Sequence, residues 1–403
     1  MEKLVNDLTQ KDETRALKAA QAIINEKRVD AFAKLSEKSD FLFDFVKNNV
    51  KNRLKKVINE NNYRNIITFF DVYDENYADT FIEAVSQYAS EDLSDAIYEL
   101  LENGTINQKK YAAKYFSAIP DTIAQELLEK YAFDTDMELA INSAQALGAM
   151  NATESYNKAI QLLSDSDEFE VIKAVRFLTS YGDKSAVPNL LNTLETASAA
   201  ENIAGEIPYL MPISEMLKTQ DADKVLTCID FILLGLSEIL PLSDVFSYDI
   251  YNTIENLLNN ETPNSHTATV LLRALDKFST INENDEYSFD ESKDVKNELK
   301  DILGLLNSKP KDFWTKQESL ISKELNKSKQ RAISALEIIR ALEIKSAGND
   351  LISFINSTSD EQLVVLSVGV AKSLNIIDKT NKNSVVDKVS NETLKVILES
   401  YFI

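Results

Sequence analysis

Asp167-Glu-Phe-Glu-Val-Ile-Lys-Ala-Val-Arg-Phe-Leu-Thr-Ser-Tyr-Gly-Asp-Lys-Ser-Ala-Val-Pro-Asn-Leu-Leu191 is the stretch whose reading decides the fold. Asp167 is a good N-cap type, and Glu170 stands three residues on, the spacing of a capping box. Val171, Ala174 and Leu178 then share one face of a helix. Gly182-Asp183 marks a turn, and Ala186-Val187-Pro188 opens a second helix carrying Leu190, Leu191 and Leu194. The stretch predicts two helices joined by a short polar turn. Neither can bury its apolar stripe alone, so the pair needs neighbours of the same kind.

Those neighbours lie 31 residues apart. Stepping back from Leu178 gives Leu147, Phe116, Val85, Leu54 and Ile23, all apolar. Four residues before each stand Ala174, Ser143, Ala112, Phe81, Val50 and Ala19; twelve residues after each stand Leu190, Ala159, Leu128, Ile97, Ile66 and Leu35. Only Ser143 among these is not apolar, although apolar side chains make up just 44% of the chain. The first two columns sit one turn apart on a first helix, and the third belongs to a second helix. N-cap types recur in step, as Asn103, Asp134 and Asp165 and as Thr105, Asp136 and Asp167; Thr105 is followed by Gln108 at capping-box spacing.

The 167–194 unit resembles a HEAT repeat of the short bacterial type, the kind found in bilin-lyase-like proteins. The resemblance rests on Val171, Ala174, Arg176 and Leu178, on Gly182-Asp183, and on Ala186-Val187-Pro188 with Leu190, Leu191 and Leu194. A second match runs through Ala332, Ala335, Ile339, Leu342, Ala347, Leu351 and Ile355; a looser one runs through Val368, Ala371, Leu374, Val385 and Val386. The resemblance implies an all-α, right-handed α–α superhelix, a HEAT-like solenoid. At this period the length corresponds to roughly ten to twelve helix pairs. Residues 1–199 read as regular repeats and residues 311–403 as C-terminal repeats with a cap. In residues 200–310 the step from Leu178 lands on Tyr209 between Pro208 and Pro212, and the columns fail. Helices are still expected over 222–239, 245–259, 266–280 and 292–307, with an exposed acidic loop over 282–294. Gly/Asn turns and alternation, the signals of a β insertion, do not occur there.

Composition narrows the function. The 403 residues hold 65 acidic and 43 basic side chains, a net charge of −22, with 8 Gly, 7 Pro, one Cys and one His. So little glycine and proline does not suit a turn-rich β protein or a nucleotide-binding α/β enzyme. A lone cysteine excludes an intramolecular disulfide framework and a cysteine-rich zinc site. The acidic surplus argues against nucleic acid as a partner. The opening Met1–Asp7 lacks the apolar core of a secretory signal, and Asp230, Glu238 and Asp244 interrupt the most apolar window, Val225 to Phe246, so no membrane span is expected. A cytoplasmic location follows as the expectation, in keeping with a reduced Cys228.

Chemistry is sparse. His266 has only Ser265 and Thr267 beside it and reads as a surface or helix-start residue. Cys228, in an apolar helix, reads as inert packing. The acidic runs at 165–168 and 282–286 lack the ligand positions or the glycine of a calcium loop. Deoxyhypusine hydroxylase, a HEAT-type enzyme, needs several His-Glu pairs that one histidine cannot supply, and the HEAT-like DNA glycosylases need a basic groove. The basic run Lys47, Lys51, Arg53, Lys55, Lys56 and Arg64 reads as an outer helix face. No cofactor, metal or catalytic residue is expected.

The acidic feature is stronger. From Asp71 to Glu102 there are ten carboxylates and no Lys or Arg. Leu93, Ala96, Ile97 and Leu100 are expected to face the core, which places Asp92, Asp95, Glu99 and Glu102 outside, with Glu126 repeating the Asp95 position. The resemblance implies that second helices line the concave surface, hence a negative inner ridge. Tyr73, Tyr77, Tyr88 and Tyr98 lie in the same unit, and aromatics with carboxylates suit Lys/Arg-rich segments; solubility with tyrosines packed between helices explains the same residues. Trp314 reads as core packing at a helix start or as an interface anchor. The leading function is a non-enzymatic scaffold or adaptor for a protein or peptide, with a lyase-like or other protein-modifying enzyme as the alternative and a structural homo-oligomer subunit third.

Overall fold

In a computed structural model of the chain, residues 2–39, 41–235, 250–259, 265–279, 318–341, 343–378 and 381–402 are described. Trp314, the acidic segment 282–294 and the helix expected over 292–307 lie outside the described residues. Every long element described is a helix, and no strand occurs among the described residues. The chain divides into two compact units, Met1–Ala186 and Val187–Ile403.

The first unit runs α1 (Glu2–Thr9), α2 (Glu13–Asn25), α3 (Val29–Ser39), α4 (Asp44–Val57), a 3-10 helix (Tyr63–Asp71), α5 (Glu75–Ser86), α6 (Glu91–Asn103) and α7 (Ile106–Ala118). A 3-10 turn (Thr122–Ala124) then leads into α8 (Gln125–Tyr131), α9 (Met137–Ala149), α10 (Thr153–Leu162) and α11 (Glu168–Tyr181). Successive first helices stack, α2 on α4, α4 on α5, α5 on α7, α7 on α9 and α9 on α11, while the second helices α6, α8 and α10 pack on the first helix of the following pair, α7, α9 and α11. The column Ile23, Leu54, Val85, Phe116, Leu147 and Leu178 is buried throughout, one residue on each of α2, α4, α5, α7, α9 and α11. The columns four before and twelve after are buried at every position as well. This stacking of apolar columns makes the core continuous, because each stripe is covered only by the next pair.

Aromatic side chains fill the wider gaps: Phe32 meets Phe69 edge-on at 5.6 Å, and Phe70 stacks on Tyr111 at 4.4 Å. Elsewhere the backbones come very close. A Cβ on Gly148 would lie 2.1 Å from the Tyr181 carbonyl oxygen, so α9 and α11 touch through main chain there. Ser117 and Ser86 hold the same register 31 and 62 residues earlier.

The caps follow the sequence with two changes. Thr105 and Gln108 form the reciprocal capping box, and Asp136 accepts from Leu139 N at 3.0 Å. Asp167 caps α11 through Phe169 N at 2.9 Å instead, and Glu170 pairs with Lys173 at 2.8 Å, so no box forms there. Asn103 ends α6 and donates to Glu99 and Glu102, whereas Asp134 and Asp165 accept from Asp136 N and Asp167 N ahead of their helices. Gly182 closes α11 with φ +87°, the left-handed conformation that glycine adopts without strain.

The second unit alternates likewise: α12 (Val187–Thr193), α13 (Ala200–Leu210), α14 (Ile213–Thr219), α15 (Ala222–Gly235), α16 (Ile250–Leu258), α17 (Ser265–Ser279), α18 (Glu318–Glu324), α19 (Lys329–Ala341), α20 (Gly348–Ser357), α21 (Glu361–Ser373), α22 (Lys382–Val386) and α23 (Glu392–Ser400). Here α13, α15, α17, α19, α21 and α23 stack in series. Tyr209 is 71% exposed; α13 buries Ile203, Ala204 and Ile207, a shift in helical phase that ends the 31-residue column at Leu178. In the C-terminal repeats Ala332, Ala335, Ile339, Ala347, Leu351, Ile355, Val368, Ala371 and Leu374 are all buried, and Leu342 lies outside the described residues. Within each unit the helix-pair stacking is that of an all-α, right-handed HEAT-like solenoid. The repeat-based divisions at 199/200 and 310/311 differ from the contact boundary at 186/187 because they follow regularity of sequence, not packing.

Candidate functional site

Ser90 starts α6 by accepting from Leu93 N at 3.3 Å, which fixes the helical phase of the acidic ridge. The buried stripe is Leu93, Ser94, Ile97 and Leu101. Ala96 is exposed and Leu100 only half-buried, so the expected core stripe was rotated: small Ser94 fits the tight contact and Leu101 reaches the core where Leu100 does not. Asp92, Asp95, Glu99 and Glu102 all face outward, and Glu126 on α8 is exposed at the matching position. The 3-10 turn that leads into α8 contacts α6.

The carboxylates of 71–102 are isolated from cations in sequence but not in space. Lys55 pairs with Glu83, Lys114 with Asp79 at 2.9 Å, and Arg64 approaches Asp92 at 3.8 Å. Gln108 donates to Asp71 at 2.7 Å. Asp95 and Glu126 meet no cation within pairing distance among the described residues. The tyrosines are mostly structural. Tyr77 is buried, Tyr88 stacks on Tyr63 at 4.7 Å, and Tyr73 donates to Glu138 at 2.6 Å. Burial, then the Glu138 contact, pushes the Tyr73 phenol well above its ordinary value.

The basic run of α4 is largely neutralised by its neighbours. Arg53, buried, donates to Glu13 at 2.9 Å and to the Leu8 carbonyl at 2.7 Å, and Lys56 meets Glu13 at 3.1 Å. Arg53 and Lys56 hold the Glu13 carboxyl below its usual range. Around the start of this helix Phe41, Phe43 and Phe45 stand exposed, Phe43 stacked on Phe45 at 6.0 Å.

Cys228 is buried against the Ala204 carbonyl, and burial pushes its thiol up to about 12, so the thiolate needed for reactivity is absent at neutral pH. His266 departs from expectation. It does start a helix, α17, but it is buried, with Nδ1 2.7 Å from Arg331. Burial first, then Arg331 and Lys327, lower its pKa to about 3, so it is neutral and accepts from the guanidinium.

His266 belongs to a polar cluster that the columns gave no means of finding. Arg273, buried, donates from Nε to Asp230 at 2.9 Å and from Nη1 to Glu337 at 2.6 Å, and Ser334 donates to the other Asp230 oxygen at 2.8 Å. Burial raises the Asp230 pKa against the opposing pull of Arg273. Glu324, fully buried, lies 2.8 Å from Lys327 and 3.5 Å from Arg331. The one sequence signal was Asp230 itself, a carboxylate inside the most apolar window. Among the described residues no group of three or more His, Cys, Asp or Glu is placed to hold a metal, and no helix is long and apolar enough to cross a membrane.

Fold and surface together define a helical-repeat protein with a cluster of buried ion pairs in its second unit. No protein-family model matches the chain, and no curated protein matches it. Among solved structures the chain is similar to the karyopherin Kap121p bound to RanGTP, at 11% identity over 99% of this chain and 52% of that one, with a TM-score of 0.26. It is also similar to importin beta in an ammonium sulfate condition, at 12% identity over 99% of this chain and 62% of that one, with a TM-score of 0.28. The chain thus spans between half and two thirds of these proteins. A likeness at such TM-scores carries neither their partners nor their activity to this chain, and the narrower likeness to bilin-lyase-like repeats finds no counterpart among these matches.

Proposed function

We propose that the chain is a non-enzymatic scaffold or adaptor that holds a Lys/Arg-rich segment of a protein partner against the acidic faces of α6 and α8. A reducing, cytoplasm-like compartment suits its single buried thiol. The observation that carries the reading is the row of exposed carboxylates, Asp92, Asp95, Glu99, Glu102 and Glu126, which among the described residues meets one cation, Arg64, at 3.8 Å from Asp92. If second helices line the inner face, the row forms part of a groove. Exposed ion pairs contribute under about 1 kcal/mol each, so affinity must come from their sum and from buried contacts beside them. Binding should weaken as salt shortens the Debye length below about 10 Å.

The test begins with an affinity pull-down and mass spectrometry to supply a partner, followed by Asp95→Lys with Glu126→Lys. These two side chains make no ion pair among the described residues, so the variant should stay folded. Affinity should fall by tenfold or more and lose salt dependence. Unchanged affinity and salt dependence would reduce the ridge to solvated surface.

A further inference from the structure

In the second unit we propose a binding site for a phosphate-bearing small molecule, in a cavity of about 620 Å³ where the run Lys327-Ser328-Lys329-Gln330-Arg331 faces the loop 195–198. The proposal goes beyond the scaffold reading and rests on different residues.

Three cations from five consecutive residues line this cavity, in a chain whose net charge is −22. Each is held from behind. Buried Glu324 takes Lys327 at 2.8 Å and Arg331 at 3.5 Å, while Asp360 takes Lys329 at 3.0 Å. Arg331 is fixed further by donating to Thr227 at 3.0 Å and to neutral His266. Because Glu324 is shared, two cations there have one carboxylate between them. The remaining acids nearby, Glu195 on the lining and Asp223 3.7 Å from the His266 ring, are exposed and solvated. Lys327 and Lys329 keep 42% and 45% of their side chains in solvent, so both can turn toward a ligand without leaving the fold.

The rest of the lining suits an oxyanion carried on an organic group. Ser198 and Ser328 bring hydroxyls, and Leu194 and Phe231 form an apolar floor. The cation run also opens α19, a 13-residue helix, so its first N–H groups and positive dipole end lie on the same side. A phosphoryl group, with three acceptor oxygens and close to two negative charges, matches three cations and these hydroxyls better than a carboxylate does. The cavity is much larger than a bare phosphate needs, which leaves Leu194 and Phe231 for the organic part.

Isothermal titration of the full chain with inorganic phosphate, with adenosine monophosphate and with adenosine tests this. Binding of the monophosphate, alone or together with phosphate, is expected, and none of adenosine. Lys327→Ala with Lys329→Ala should weaken it at least tenfold, although losing Lys327 leaves buried Glu324 with Arg331 alone and lowers the melting temperature. Lys329→Ala by itself, at a partly exposed pair, should still weaken binding severalfold with the melting temperature kept, whereas Lys323→Ala, on exposed surface of the preceding helix, should leave it unchanged. Inorganic phosphate bound as tightly as the monophosphate would mean the free ion is the ligand and the apolar floor is idle, which overturns the organic part. No heat from either phosphate at millimolar concentration, or equal binding by the double variant, would overturn the site.

Discussion

Gly148→Ala puts two opposing effects in direct competition. In a helix interior, replacing glycine by alanine should stabilise by about 1 kcal/mol, because alanine is the better helix former. Here the new Cβ would sit 2.1 Å from the Tyr181 carbonyl oxygen and 3.0 Å from its carbonyl carbon, both main-chain atoms that cannot rotate away. Relief requires α9 and α11 to separate by about 1 Å, and on a steep contact potential such a gap forfeits a quarter to a half of each facing attraction. Overpacking of this kind costs about 1–3 kcal/mol, so the steric effect should win and the variant should be destabilised on balance. Urea denaturation supplies the sign. Hydrogen exchange supplies the location: amides of α9 and α11 should exchange faster, while those of α2 and α4 stay protected, since each repeat touches only its neighbours. A neutral or stabilised variant, or loosening spread evenly through the first unit, would refute the close-approach argument.

Two further outcomes concern the buried polar cluster. Arg273→Met should cost about 3–5 kcal/mol by leaving the Asp230 carboxylate buried without its partner, and adding Asp230→Asn should recover part of that; a loss under about 1 kcal/mol in urea denaturation would show that the pair carries little. His266 has a folded pKa of about 3 against an ordinary value of about 6.5, so between these values the unfolded chain takes up a proton that the folded chain refuses. Stability should therefore be intact above about pH 6.5 and fall as pH drops through that window. His266→Gln should flatten the fall between about pH 6.5 and 5, before the carboxylates titrate, and an unchanged slope in urea midpoints would contradict the burial of a neutral ring.

The core of the first unit was legible because its periodicity is strict: Ile23, Leu54, Val85, Phe116, Leu147 and Leu178 needed only a ruler of 31 residues. Capping was legible for the same reason at Thr105 and Asp136. Helical phase was less so. The stripe on α6 turns on whether Leu100 or Leu101 points inward, a choice of 100° that both apolar residues allow and that packing decides. The cations facing the acidic ridge were not legible, because Lys55, Arg64 and Lys114 come from neighbouring repeats. Least visible was the second-unit cluster, whose partners Asp230, Arg273 and Ser334 lie 43 and 104 residues apart along the chain with no shared period to link them. The lining of the proposed phosphate site is assembled in the same way, Lys327, Lys329 and Arg331 meeting Thr196 and Phe231 from a distant part of the chain.

The pairing of Lys55 with Glu83 and of Arg64 with Asp92 spans 28 residues in both cases, one repeat to the next, and Lys114 reaches back 35 residues to Asp79. Individually these exposed contacts stabilise the folded chain very little. Their value lies in discrimination during assembly. The helix pairs share one apolar pattern, so any pair could dock on the wrong neighbour, which is the characteristic failure of repeat proteins. A skipped repeat would set the acidic 71–102 unit against another pair without Lys55, Arg64 or Lys114 opposite, leaving like charges facing each other. These pairings thus act as an address for the 71–102 unit, one that favours its two native neighbours over any other repeat.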